Sequence, residues 1–147
     1  MSKRNIEPQE QKTMEVIKQK FYYWRDVLGL SDWDIQFVFN VEPENMIIDG
    51  STGCTSFEES TKTALVQILN PERFINKVGK FDIEKSIVHE LLHLKLSLVE
   101  SETDEFQKRM LHQILDDLAK SFVRARRRPR HTKEQLEGWM KEDEANA

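Results

Sequence analysis

Residues 82–99 read Asp82-Ile83-Glu84-Lys85-Ser86-Ile87-Val88-His89-Glu90-Leu91-Leu92-His93-Leu94-Lys95-Leu96-Ser97-Leu98-Val99. Ile83, Ile87, Leu91, Leu94 and Leu98 form one stripe at helical spacing, and Val88, Leu92, Leu96 and Val99 cover much of the remaining circumference. Asp82 stands where an N-cap is expected. A helix apolar nearly all round belongs at the centre of a fold. Against that background His89, Glu90 and His93 are costly to bury unless something satisfies them.

On the N-terminal side, Ile17, Phe21, Trp24 and Leu28 recur every three to four residues, which predicts a helix over 9–28 stopped by Gly29. Trp33, Ile35, Phe37, Phe39 and Val41 alternate with more polar positions and predict a strand. A turn-rich connection over 43–53 leads to a weak strand at 54–60. A better strand at 63–69 ends at Asn70-Pro71, because proline cannot donate to a ladder. A short helical turn is expected near 73–78. Cys54, the single cysteine, has no disulfide partner within the chain and reads as a small buried residue.

On the C-terminal side, a further helix is expected over 103–127, with Leu111, Ile114, Leu115, Leu118 and Phe122 inward. Arg124, Arg126, Arg127, Arg128 and Arg130 then crowd into seven residues before the chain turns polar. Leu136, Trp139 and Met140 are able to form one amphipathic turn there. The expected organisation is a polar lead-in over 1–8, one domain over 9–128 and a polar tail over 129–147. The fold class is α+β.

The chain has 147 residues, enough to bury a core without disulfides. Its apolar runs fall short of the ~18 residues of a spanning helix, and its eight Phe and three Trp exclude a wholly disordered chain. A net charge of −4 argues against generic nucleic-acid binding. The opening MSKRNIEPQE has no apolar core of a secretory signal, so a cytoplasmic protein is expected.

His89-Glu90-Leu91-Leu92-His93 is an H-E-x-x-H pattern on a helix. Two histidines four apart differ by ~6 Å in rise and ~40° in azimuth, so their rings converge on one ion. Glu90, ~100° round, reaches an adjacent water without crowding the ligands. Such a metal lowers the pKa of its water, the glutamate takes the proton, and hydroxide attacks a polarised carbonyl. One Zn2+ with three protein ligands is expected. Glu100 shares the histidine azimuth but lies ~10 Å further along a straight helix. If the next helix folds back antiparallel, His112 falls between His89 and His93, and Asp116 lies closest to His89. This makes His89, His93 and His112 the expected ligands, Glu90 the general base, and Asp116 the carboxylate that orients an imidazole, that of His89. The bland reading is a pair of core-edge histidines beside an exposed glutamate.

The chain resembles the small zincin (HExxH) metallopeptidases of the phage and bacterial type and, more distantly, the SprT-like proteases and thermolysin-type gluzincins. The resemblance runs from about Ala64 to Ala119 and is strongest at the strand ending in Asn70-Pro71 and at Ile87-Val88-His89-Glu90-Leu91-Leu92-His93-Leu94. His112 and Asp116 stand where gluzincins have a glutamate ligand followed four residues later by an aspartate. A histidine as third ligand is the SprT-like choice. The glycine and histidine that follow the motif in metzincins are missing here.

The resemblance implies an N-terminal helix on a small, mostly antiparallel sheet of three to four strands, then the active-site helix and a further ligand-bearing helix. It also implies that an edge strand, here Ala64, Leu65, Val66, Gln67 and Ile68, binds an extended peptide or protein substrate by β-augmentation. Zincins add an oxyanion-stabilising side chain. Tyr22, Tyr23, Arg73 and His131 are candidates that spacing does not separate. The alternative function is a zinc-stabilised, non-catalytic module contacting nucleic acid or an acidic partner through Arg124, Arg126, Arg127, Arg128 and Arg130. The ordinary reading of that run is a solvated helix end whose charge suits the dipole.

Overall fold

Pro8 presets φ for a first helical turn, and the Ile17, Phe21, Trp24 repeat then buries one side of a 20-residue helix, α1 (Pro8–Val27). In this computed structural model the described residues are 7–75, 79–128 and 132–147. Gly29 ends the helix at φ 68°, a left-handed conformation that costs glycine little. Strand β1 (Asp34–Val41) follows, then β2 (Gly53–Glu58), β3 (Thr63–Leu69), and the helices α2 (Ile83–Lys95), α3 (Ser97–Ser101), α4 (Glu105–Arg127) and α5 (Lys133–Ala145). The α+β class holds. Among the described residues no helix is long and apolar enough to cross a membrane.

The sheet order is β1-β3-β2. A turn with Lys62 at φ 51° joins β2 and β3 as an antiparallel hairpin, while β3 runs parallel to β1. The sheet is therefore mixed, with one parallel and one antiparallel pairing, rather than mostly antiparallel. The 42–52 connection carries the chain from one edge to the other and leaves the middle place to β3. Gln67 pins it: its side chain accepts from Ile47 N at 2.9 Å and donates to Asn45 O at 3.1 Å.

Helix α2 is central, packed against α1, α4, β2 and β3. Ile87, Val88, Leu91 and Leu94 are essentially without exposure, as their all-round apolarity predicts. Each such side chain contributes roughly 1.5–3 kcal/mol by leaving water. Helix α4 packs through Leu115, Ala119 and Val123. Leu111 and Leu118 flank this line. Of the residues expected inward, Ile114 is half exposed, and Phe122 is 37% exposed while its ring stacks on the buried Trp24.

A buried carboxylate ties three helices together. Glu84 has no exposed surface and accepts from Trp24 Nε1 at 2.9 Å. Arg126 grips it with two nitrogens, and Arg127 bridges it to Asp82. Burial alone would raise the Glu84 pKa, but the hydrogen bonds from Arg126 and Trp24 outweigh it and lower the pKa to about 2.

Three local expectations change. The helix predicted over 82–99 ends at Lys95, and α3 restarts at Ser97. The turn expected near 73–78 is a 3-10 turn at Pro71–Arg73, with 76–78 outside the described residues. The C-terminal segment forms a 13-residue helix with a Thr132–Gln135 capping box, on which Trp139 is about half exposed. Cys54 is buried beside Val41, Met46 and Leu69, as expected.

Candidate metal centre

The hairpin of α2 on α4 brings His89, His93 and His112 together. One nitrogen from each lies within 4.8 Å of the others. The rings of His89 and His112 have centroids 4.6 Å apart, and those of His93 and His112 5.6 Å apart. His112 thus faces both motif histidines, as the antiparallel geometry predicts.

The nitrogen spacing tests the fit of a metal. Two ligands at about 2.0–2.1 Å on a tetrahedral zinc stand roughly 3.3–3.4 Å apart. His89 Nε2 and His93 Nε2 are 3.3 Å apart. Three imidazoles with no acidic ligand form a borderline-soft donor set suited to Zn2+. Burial, followed by the neighbouring His93 and His112, lowers the His89 pKa to about 4, so this imidazole is neutral near pH 7. For His93, burial acts downward, but the bond it donates to Glu100 and the charges of Glu90 and Glu100 prevail and raise its pKa.

The outer nitrogens face carboxylates. Asp116 Oδ1 lies 3.5 Å from His89 Nδ1, the partnership expected from helical position. Asp116 is itself held by Lys85 at 3.2 Å and Lys120 at 3.0 Å. Burial would raise its pKa, but these two ammonium groups lower it and keep it anionic. Lys85 stands four residues before His89, and Lys120 four after Asp116, so helical spacing carried a readable signal for both.

Glu100 overturns the straight-helix expectation. Leu96 adopts φ −108° and ψ 17°, α2 stops, and α3 restarts at Ser97. Glu100 Oε1 then accepts from His93 Nδ1 at 2.5 Å. No glycine or proline marks the break, so periodicity gave no warning of it.

Glu90 is 6% exposed and points to β2. Thr55 Oγ1 donates to Glu90 Oε2 at 2.5 Å. Gly53 passes so close that a Cβ there would lie 2.6 Å from Glu90 Oε1. Burial raises the Glu90 pKa, and the Thr55 bond and the His93 charge partly oppose that rise. A carboxylate shifted upward in this way takes up a proton more readily than a free one. Thr55 and Gly53 were invisible as site residues, because only strand pairing and the docking of β2 on α2 bring them to Glu90.

A cleft of about 420 Å³ opens beside the histidines, lined by Phe57, His93, Glu100, Lys108 and His112. The oxyanion candidates fall elsewhere. Tyr22 lies by Arg25 and Phe21, Tyr23 against Trp24, and Arg73 binds Glu42. His131 is outside the described residues.

The strand expectation is corrected. Ala64, Leu65, Val66, Gln67 and Ile68 belong to the middle strand, paired with β1 on one side and β2 on the other. Their backbone groups are engaged within the sheet, so they have no free edge for a substrate. Among the described residues, the strand beside Glu90 with no strand on its outer side is β2. In the arginine run, Arg126 and Arg127 are bound to Glu84 and Asp82, Arg124 and Arg128 are exposed, and Arg130 lies outside the described residues.

No family model matches the chain, and no curated protein or solved structure matches it.

Proposed function

We propose that this chain is a zinc-dependent metallopeptidase. The observation that carries the reading is the 3.3 Å separation of His89 Nε2 and His93 Nε2, with His112 completing the triangle and Glu90 buried alongside. His89, His93 and His112 would hold the ion. Bound zinc supplies a water of lowered pKa and a centre that polarises a carbonyl. Glu90, held by Thr55, takes the proton of the attacking water and returns it to the leaving amine. Asp116 keeps the His89 ring turned toward the ion.

The open side of β2 supports an extended peptide as substrate. From Gly53 and Thr55 at Glu90 to Phe57 at the cleft, this edge offers backbone groups for β-augmentation. Lys108 also lines the cleft wall and would be the nearest cation for developing negative charge there. The alternative, a nucleic-acid or acidic-partner module, has less support because two of its arginines are engaged with Glu84 and Asp82.

The test is Glu90→Gln with zinc content and cleavage of an unstructured protein such as casein measured together. Retained zinc with cleavage lost by at least ~100-fold is expected. Unchanged cleavage in this variant, or none by the zinc-loaded wild type, would contradict the reading.

A further inference from the structure

The interruption at Leu96 has no helix-breaking residue behind it, and what it delivers is a carboxylate. We infer that Glu100 is a positioning residue of the metal centre: the turn from α2 into α3 sets its Oε1 on His93 Nδ1 and aims His93 Nε2 at His89 and His112. The inference rests on the reading of these histidines as metal ligands.

A neutral imidazole carries one proton, on either nitrogen. A carboxylate at Nδ1 holds the proton there and leaves the Nε2 lone pair free. At 2.5 Å the Glu100 contact is a short, charge-assisted one. The oxygen that makes it lies on the flank of the ring away from Nε2, so it fixes the ligand instead of competing for the ion. Glu100 is anchored in turn, since Thr103 Oγ1 donates to its carbonyl at 2.8 Å. One residue later, Asp104 opens α4 with a capping box. The same short connection that reverses the chain to present His112 therefore also places Glu100. Asp116 stands 3.5 Å from the corresponding nitrogen of His89, so Glu100 makes the closer contact of the two.

The experiment compares wild type, Glu100→Gln and Glu100→Ala. Zinc affinity is read by competition with a chromogenic chelator, and folding by circular dichroism. Glu100→Ala is expected to bind zinc about 10- to 100-fold more weakly. Glu100→Gln, whose amide oxygen still accepts from Nδ1–H, should retain an intermediate affinity. In the zinc-loaded wild type, the His93 Nδ1–H proton should resonate far downfield and exchange slowly, and Glu100→Ala should abolish this signature. If the wild type binds one zinc and both variants match it in affinity and in the His93 resonance, the positioning role is overturned and the metal reading stands. A wild type that takes up no zinc overturns both.

Discussion

Thr55, on the edge strand β2, donates its hydroxyl to Glu90 Oε2 at 2.5 Å across the boundary between sheet and central helix. It also lies 3.1 Å from the Glu90 carbonyl oxygen. One side chain thus links the open strand to the proposed general base. Thr55→Val keeps the shape and deletes the donor. The Glu90 carboxylate then loses a bond that lowers its pKa, so the pKa rises further. The acid limb of the pH–rate profile should move to higher pH. The rate at neutral pH should fall roughly ten- to a hundredfold, the worth of a hydrogen bond to a charged group. Thr55→Ser should restore both, and an unmoved acid limb would contradict the assignment.

Gly53→Ala tests the other contact on Glu90. The added methyl would stand 2.6 Å from Oε1 and 3.1 Å from Cγ, so the glutamate must shift within a buried site. A destabilisation of about 1–3 kcal/mol is expected, typical of overpacking, with hydrolysis lost and zinc retained. Adding Glu90→Ala should recover much of the stability, because the clash partner is gone. Strictly additive losses in thermal unfolding would count against direct contact.

Glu84 contributes to the acid stability. Its pKa is near 4.5 when free and about 2 in the fold. A depressed carboxylate stabilises the fold above its unfolded pKa, and that contribution disappears as pH falls through the folded one. About 3 kcal/mol should therefore be lost between pH 4.5 and 2. Glu84→Gln should lower stability at pH 7 and flatten this part of the curve. Denaturant midpoints across pH measure both, and an equally steep loss in the variant would place the effect elsewhere.

Arg126 and Arg127 yield a prediction that separates the two functional readings. Arg126→Ala should lower the unfolding free energy by about 1–3 kcal/mol, since it leaves Glu84 with fewer partners. Retention of the protein on single-stranded or duplex DNA at low salt should not change. A folded variant that has lost salt-dependent DNA binding would favour the adaptor reading.

The long helices and the strands could be read from their two periodicities, and the meeting of His89, His93 and His112 from helical spacing. The strand 63–69 ends where Asn70-Pro71 stops it, and His112 and Asp116 meet His89 because helices in a short hairpin keep register. What escaped notice depends on tertiary choices. Strand order placed β3 in the middle of the sheet, which alternation along one strand does not reveal. Leu96 breaks a helix that its residue types would continue, and Glu100 reached His93 only through that break. The buried line of α4 runs through Leu115, Ala119 and Val123 and leaves Ile114 half exposed. The arginine run reads as a solvated helix end, whereas Arg126 and Arg127 are bound to Glu84, a charge inside an apolar helix that spacing along α4 does not reveal.

The most direct measurement is an anomalous-difference map from a crystal grown with zinc. The account predicts one peak at about 2.0–2.1 Å from His89 Nε2, His93 Nε2 and a ring nitrogen of His112, with the fourth position open toward Glu90 and the Phe57–Lys108 cleft. A map with no peak among these three rings, or with zinc held elsewhere on the chain, would contradict it.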